Sequence, residues 1–270
     1  MLPAFFYKGH AMDDEVVSKE GARAVGLQPS FLPNRYRVLS GSILKVIAAV
    51  TMVIDHIAHH LLSHIPAFVT PIVMLGDTAV TLVWILRVIG RCSFPIFAFL
   101  IVEGFLHTSS RTRYAGGLFV LAIISEIPWD LEHVGRVVDL SSQNVVWTLL
   151  LGLLAIWCIE SLLDDQGYIA LFLVAILAAG LILRADYGIR GVGVIILFYA
   201  LRKQPAISAA LACCMLSSQL YTVPGLVLIN MYDGTRGFIG TGKYNKYAFY
   251  AIYPVHILII ALIKLHMGWV

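Results

Sequence analysis

Residues 43–65 read ILKVIAAVTMVIDHIAHHLLSHI, an apolar run that carries an Asp-His pair and three further histidines. At about 1.5 Å per residue, a helix of this length crosses the ~30 Å hydrocarbon core of a bilayer. Charged side chains are costly at that depth, about 2.5–3.5 kcal/mol each on insertion scales, so they must face a cavity or the bundle centre. The stretch therefore predicts a membrane-spanning helix with one polar, functional face.

The composition of the whole chain agrees with a membrane protein. Of 270 residues, 59% are hydrophobic and 13% are charged, against about 25% charged in soluble domains. These values exclude a disordered chain and an ordinary soluble globule. The net charge is only +3 and no long Lys/Arg run occurs, so nucleic acid is not an expected partner. The four cysteines lack metal-like spacing, and no metal is expected.

The chain divides into two parts. Residues 1–42 hold nine of the 35 charged residues, with proline and glycine breakers, and no signal-peptide pattern is recognised there. We interpret them as a cytosolic N-terminal tail. Residues 43–270 hold the remaining charges thinly among apolar runs and form the predicted transmembrane domain.

Apolar segments of bilayer length recur along this second part, and they are continuously apolar, which excludes the alternating strands of a β-barrel. The fold class predicted is an all-α, polytopic integral membrane helix bundle with eight or nine spans. Two stretches, 68–86 and 223–231, are ambiguous. The candidate spans are 43–65, 88–106, 114–131, 145–163, 168–183, 189–201, 206–221 and 247–265.

The positions of Lys and Arg predict the orientation, because these residues accumulate on the cytosolic side. Five of them precede the first span, so the N-terminus is expected in the cytosol of a bacterial inner membrane. Arg111 and Arg113, and later Arg202 and Lys203, return to that side if 68–86 is an outer loop or interfacial element. The side of the loop 232–246 stays open.

The histidines of the first span allow three interpretations. His56, His59 and His60 match the H-x-x-H-H box of membrane di-iron enzymes, but two irons need about eight imidazoles and the other histidines are isolated in sequence. A second interpretation is one catalytic base, His56, with Asp55 beside it. The third is structural, with the polar residues holding helices together.

Other polar residues lie at depth or at predicted helix ends. Arg91 and Glu103 stand near opposite ends of the second span, which contains Pro95, a residue that can kink a helix and shape a cavity. Asn144 opens the fourth span, and His256 follows a proline in the last span. A structural role at a helix end is the alternative for several of them.

Taken together, these strings resemble the TraX family, which is named for a protein associated with N-terminal acetylation of the pilin of conjugative plasmids. The resemblance runs in order over roughly residues 43–265. The 1–42 tail and the apolar insert 68–86 depart from it. The matching strings are LKVIA and MVIDH (44–48, 52–56), IGRCSFPIFAF (89–99), VEGF (102–105), SEIPWD (125–130), QNV with TL (143–145, 148–149), DYG (186–188), MYDGTRG (231–237) and YPVH (253–256).

TraX proteins resemble the wider transmembrane acyltransferases, in which a first-span histidine and a Phe-Pro-containing second span border a central site. The resemblance implies transfer of an acetyl group from acetyl-CoA to an amine or hydroxyl. It places His56 as the base with Asp55 beside it, and Arg91 as a charge partner or ligand clamp. Glu103 and His256 are counted among the substrate- or cofactor-binding candidates.

The chemistry adds two requirements to this implied reaction. An oxyanion forms on the thioester carbonyl and needs hydrogen-bond donors, for which Asn144 is a candidate. The phosphates of CoA need cations at the cytosolic mouth, where Arg111 and Arg113 are expected. The acceptor is open: a pilin N-terminus, another amine or a glycan. A membrane transporter or a pilus-assembly scaffold without catalysis is the alternative function.

Overall fold

The structure, a computed structural model, describes residues 29–162, 166–216, 219–239 and 243–269. Within these ranges it consists of helices and one small hairpin, in the following order: α1 (Gly41–His60), α2 (Pro66–Val69), β1 (Val73–Leu75), β2 (Thr78–Val80), α3 (Leu82–Gly90), α4 (Ser93–His107), α5 (Arg111–Val134), α6 (Val145–Ser161), α7 (Gln166–Ile182), α8 (Gly188–Ala200), α9 (Pro205–Met215), α10 (Val223–Asn230) and α11 (Lys243–Met267).

Four helical segments among the described residues are long and apolar enough to cross a membrane: Gly41–His64, Leu82–His107, Arg111–Val134 and Lys246–Met267. Helices α6 to α9 are apolar but shorter. The predicted class, an all-α membrane helix bundle, is confirmed, while the predicted number of eight or nine spans stays a prediction.

Helix α1 has one buried face and one exposed apolar face. Ser40 starts the helix by accepting a hydrogen bond from the Ile43 backbone N–H, as an N-cap does. Leu44 and Ala48 are fully buried, whereas Val46 and Val50 are exposed. The buried face packs against α3, α4 and α11. Exposed valines on the other side suit contact with lipid.

Helix α4 lies at the centre of the bundle, with contacts to α1, α6, α8 and α10. Its aromatic residues Phe94, Phe99 and Phe105 are buried in the main hydrophobic core. A helix that is apolar on all sides is expected to occupy such a position.

The second span begins at Leu82, earlier than the expected residue 88, and it is broken in the middle. Helix α3 ends at Gly90, a turn follows, and α4 restarts at Ser93 with Pro95 in its first turn, where a missing N–H costs nothing. A Cβ at Gly225 would lie 2.8 Å from the Cys92 backbone oxygen, so α10 packs closely on the break.

The insert before this span folds as a short appendage. It contains α2 and an antiparallel hairpin in which Val73 pairs with Val80. Gly76 makes the turn with φ of 58°, a conformation that favours glycine. Residues 68–80 thus form no spanning helix, and the remainder of 68–86 belongs to α3; an interfacial position of the insert stays a prediction.

The loop that follows α10 lies at the same end of the bundle as the start of α1. Leu39 and Tyr232 form a β-bridge, and the Ser42 hydroxyl donates to the Arg236 carbonyl at 3.0 Å. At the opposite end, His64 stacks on Trp269. Residues 29–40 of the predicted tail pack on this loop, while 1–28 lie outside the described residues.

Candidate functional site

A cavity of about 990 Å³ lies between α1, α3, α4, α5 and α11, with the start of α8 closing one side. Its lining includes Gly41 and His60, the first and last residues of α1. Since α1 has 20 residues, the cavity extends along about 30 Å of helix axis. The two ends differ in chemistry, and each is described separately.

Histidines and acids gather at the end of the cavity nearest the C-terminus of α1. We call this region the histidine end, and it comprises Asp55, His56, His59, His60 and His133, all of which line the cavity. The helical spacing of α1 brings the first four together, because residues three and four apart share a face. His133 joins them from the last turn of α5.

His56 and His256 form a hydrogen-bonded pair, and the direction of the hydrogen bond can be assigned. The two rings stack with centroids 5.0 Å apart, and Nδ1 of His56 lies 2.7 Å from Nε2 of His256. Nδ1 of His256 lies 2.7 Å from the Ile252 carbonyl oxygen, which only accepts, so this nitrogen carries the proton. His56 must then donate from Nδ1, and its Nε2 is left with the lone pair.

Asp55 is held between two arginines where α1 meets α3. Its Oδ1 lies 3.8 Å from Arg87 Nε, and Arg91 interacts with the same carboxylate. Oδ1 itself makes no hydrogen bond among the described residues. A Cβ at Gly90 would lie 2.3 Å from Asp55 Cβ, so glycine is needed for this helix crossing. Arg87 also contacts Nδ1 of His59.

The turn between α7 and α8 contributes Asp186 and Tyr187 to the cavity wall. Burial raises the pKa of Tyr187 to about 12, with the Asp186 carboxylate adding to the effect. Burial also raises the pKa of Asp186 above its ordinary value. Tyr187 therefore keeps its phenolic proton at neutral pH. Its side chain forms a hydrogen bond with Arg91.

Glu132 is the hub of a buried network beside the histidine end. Its side chain is only 2% exposed, and Lys264 Nζ lies 2.7 Å from its Oε1. His60 Nδ1 lies 2.5 Å from Oε1, and His133 Nδ1 lies 2.7 Å from Oε2. The network joins α1, α5 and α11. His60, Glu132 and His133 are also spaced as potential metal ligands.

The opposite end of the cavity is lined by cations. We call it the basic mouth, and it comprises Lys45, Arg113, Arg236 and Lys246. Lys45 is close enough to Arg236 and Lys246 for the three positive charges to repel one another. Cations held together against their mutual repulsion favour an anionic ligand.

The two arginines expected at this mouth are separated by the structure. Arg113 lines the cavity, whereas Arg111 does not belong to its lining. Arg111 Nη2 lies 2.5 Å from Glu160 Oε1, and its guanidinium covers the Phe105 ring at 4.5 Å. Glu160 also accepts from the Tyr199 hydroxyl at 2.9 Å. Arg111 therefore has a structural role: it forms an ion pair with Glu160 and packs on Phe105.

Asn144 is a helix cap outside the cavity lining. It is fully buried; its Nδ2 donates to the Ala122 carbonyl at 2.9 Å and to Glu126 Oε1 at 2.5 Å. Its Oδ1 accepts from the Val146 N–H at 3.0 Å. Both N–H donors of its amide are engaged in holding α5 against α6, so we do not propose it as the oxyanion donor.

Glu103 and Arg91 both line the cavity, as expected for residues of the second span. Glu103 is buried in α4 towards the basic mouth, where it bonds with Tyr232 and lies 3.8 Å from His107 Nδ1. Arg91 lies at the break between α3 and α4, towards the histidine end. The two charged residues of the second span therefore lie towards opposite ends of the cavity.

Sequence reasoning missed several of these residues. The mouth cations Lys45, Arg236 and Lys246 come from α1, the loop after α10 and α11, and only packing unites them. Glu132 and Lys264 carried a usable signal, because two opposite charges in separate apolar spans are expected to pair.

The five histidines that gather among the described residues fall short of the eight or so that a di-iron centre needs.

Two comparisons with known proteins found matches to this sequence. A family model described as TraX protein matches residues 40–264. The chain is 31% identical to a probable fimbrial assembly protein FimC (serogroup H1) of Dichelobacter nodosus over 255 residues, which cover 83% of this chain and 95% of that protein. No solved structure matches.

The family match spans α1 to α11 and includes both ends of the cavity. The chain belongs to the TraX protein family.

Proposed function

We propose that this protein is a membrane-embedded acetyltransferase that moves an acetyl group from acetyl-CoA to an amine or hydroxyl of an acceptor. The observation that carries the proposal is one cavity of about 990 Å³ with four cations at one end and the Asp55–His56 pair at the other. This arrangement provides an anion-binding mouth and a base in the same enclosed space.

The basic mouth is the proposed site for the phosphates of CoA. Arg113 and Arg236 offer forked hydrogen-bond donors, and Lys45 and Lys246 offer point charges. These groups lie at the end of the bundle where α1 begins. The pantetheine arm of CoA would then extend along the cavity and place the thioester near His56.

His56 is the proposed general base, and His256 is the proposed positioning residue that sets its tautomer. With the His56 Nδ1 proton donated to His256, the Nε2 lone pair is available for the acceptor proton. In a catalytic histidine, the hydrogen bond made by one ring nitrogen sets which nitrogen carries the proton, and His256 has this role for His56. Asp55 and Arg87 hold the adjacent turn of α1.

The proposed step is direct transfer. His56 accepts a proton from the acceptor amine as its nitrogen attacks the thioester carbonyl, and the carbonyl oxygen gains negative charge. The C–S bond then breaks, and the proton held by His56 passes to the departing thiolate, which gives CoA and the acetylated acceptor. Arg91 and the Tyr187 hydroxyl, which interact with each other beside Asp55, are the proposed oxyanion donors.

We further propose a bacterial inner-membrane location with the N-terminus in the cytosol. The basic mouth lies at the same end as the start of α1, so this orientation exposes it to cytosolic acetyl-CoA. It also follows the positive-inside rule, since Arg202 and Lys203 then lie inside as well. Counting α3 with α4 as one crossing and neglecting α2 gives nine alternating passes.

A protein N-terminus is the acceptor we favour. The similar protein of Dichelobacter nodosus is named a probable fimbrial assembly protein. The cavity lining near the histidine end offers two carboxylates, Asp55 and Asp186, that attract an amine.

The proposal is tested with full-length protein in lipid nanodiscs, labelled acetyl-CoA and a short peptide with a free α-amino group. Wild-type protein is expected to acetylate the peptide, and His56→Ala is expected to lose about 100-fold or more of the rate while keeping its affinity for CoA. The control variant is His64→Ala, at the outer end of the first span and stacked on Trp269. Equal rates for wild type and His56→Ala would remove His56 from the mechanism.

A transporter or non-catalytic scaffold is the second candidate, because the cavity reaches residues at both ends of α1. This alternative predicts no thermal stabilisation by millimolar CoA. The enzyme is expected to be stabilised by CoA according to its affinity, by about 2.7 kcal/mol at 100 times Kd.

A further inference from the structure

The Glu132 network contains a group of donor atoms that is unusual inside a membrane helix bundle. One atom each from His60, Glu132 and His133 lies within 4.8 Å of the others. His60 and His133 line the cavity, and Glu132 lies behind them with 2% exposure. Three potential ligands thus surround a point at the cavity wall.

The side chains of this group are held in place by neighbours. His133 stacks on Trp129 with centroids 3.8 Å apart, and His60 meets His59 edge-on at 4.5 Å. Lys264 Nζ bonds both the Glu132 backbone oxygen at 2.6 Å and Oε1 at 2.7 Å. Such outer contacts orient ligands and are typical of metal sites in proteins.

Two imidazoles and one carboxylate are the ligand set of many zinc sites with an open position. Ligand atoms of a tetrahedral zinc ion at about 2.0–2.1 Å lie roughly 3.3 Å from one another. The Nδ1 atoms of His60 and His133 lie 2.5 and 2.7 Å from the two Glu132 carboxylate oxygens, so zinc would replace these two hydrogen bonds and the side chains would shift by about 1 Å to reach this spacing. The fourth position would face the cavity.

We propose that His60, Glu132 and His133 bind a divalent transition-metal ion, with zinc as the best match to the ligands. Lys264 keeps its bond to the Glu132 backbone oxygen and to Oε1, and the metal takes the place of the proton between Oε2 and His133 Nδ1. The ion links α1 to α5 beside the cavity, and the Glu132 carboxylate partly balances its charge. The proposal rests on this geometry and is independent of the acetyltransferase proposal.

The test measures zinc in the full-length protein, purified with a histidine-free tag, stripped with chelator, reloaded with Zn²⁺ and desalted. Mass spectrometry of the eluate is expected to find about one zinc per chain. His133→Ala and Glu132→Gln are expected to weaken zinc binding by at least about 10- to 100-fold. His64→Ala and His107→Ala, which remove histidines outside the group, are the matched controls and are expected to retain the metal.

Cobalt substitution tests the same site without any variant that risks misfolding. Co²⁺ bound to wild-type protein through two imidazoles and a carboxylate is expected to give the visible absorption of a four- or five-coordinate ion, and Zn²⁺ is expected to abolish the band. Absence of the band, or equal zinc content in His133→Ala and His64→Ala, would overturn the site. The cluster would then be an ion network without metal. Acetyl transfer and CoA binding are measured separately and fail or succeed independently.

Discussion

The two ends of the cavity use charge in opposite ways. The basic mouth collects four cations from α1, α5, α11 and the loop after α10, and Glu103, the acid that lines the cavity towards this end, bonds with Tyr232. At the histidine end every charged side chain has a neighbour of opposite or hydrogen-bonding character, as in Arg87–Asp55 and Lys264–Glu132. One end is built to attract an ion from water, and the other to hold groups in set positions.

The difference follows from what each end must do. A phosphate group brings its own negative charge, so cations that repel one another in the free protein gain on binding it. A base must have its ring and tautomer set before the acceptor arrives, and the His56–His256–Ile252 chain does this. Binding and chemistry are therefore expected to respond to different substitutions.

Apart from loss of the proposed base His56, the largest effect is expected for Gly90→Ala. The new Cβ would lie 2.3 Å from Asp55 Cβ, so α3 must move away from α1. A displacement of about 1 Å at the histidine end is expected to reduce acetyl transfer by about 100-fold, with a stability loss of about 1–3 kcal/mol. Affinity for CoA, measured by calorimetry, is expected to change little.

The matched controls for Gly90 are Gly116→Ala and Gly117→Ala in α5, where a Cβ would meet nothing within 4 Å. Both are expected to retain activity and to gain up to about 1 kcal/mol from helix propensity. A fully active Gly90→Ala protein would show that the histidine end tolerates displacement.

A smaller effect is expected for His256→Ala, which frees the His56 ring to rotate and to change tautomer. Transfer is expected to fall by about 10- to 100-fold. His256→Gln is expected to recover part of the rate, because its amide oxygen can accept the same bond from His56 Nδ1. The pH–rate profile is the diagnostic readout, since a packing role would not move it; an unshifted profile in His256→Ala would contradict the positioning role.

The smallest effect on activity is expected for substitutions of Arg113 and Arg111, which the account predicts to behave differently. Arg113→Gln is expected to raise KM for acetyl-CoA by about tenfold, with kcat kept, because it removes one charge-assisted contact to phosphate. Arg111→Gln is expected to leave KM unchanged and to cost no more than about 1 kcal/mol of stability, since its partner Glu160 is partly exposed. A rise in KM for Arg111→Gln alone would reverse the assignment.

Much of the fold could be predicted, because apolar runs of bilayer length have few alternatives. Span ends were harder to predict: α3 begins at Leu82 because the apolar stretch 82–86 continues the helix, while the insert before it turns at Gly76. The start of the second span depends on where the hairpin ends, and composition does not reveal this point.

The site could be predicted in part. Asp55, His56, Arg91 and Glu103 line the cavity because polar and charged groups in an apolar span must be sheltered, and Arg113 joins them from the first turn of α5. The roles of Arg111 and Asn144 depended on their partners, Glu160 and Glu126, which lie far along the chain. Pairing across helices is set by rotation and depth of packing, which periodicity in one helix does not determine.

The central claim is that the mouth binds the donor and the histidine end performs the chemistry. Steady-state kinetics of wild type, His56→Ala and Arg236→Gln on one peptide acceptor test it most directly. The account predicts a fall in kcat of about 100-fold for His56→Ala at unchanged CoA affinity, and a rise in KM for acetyl-CoA at unchanged kcat for Arg236→Gln. If both variants change the same parameter by the same factor, the division between the two ends is contradicted.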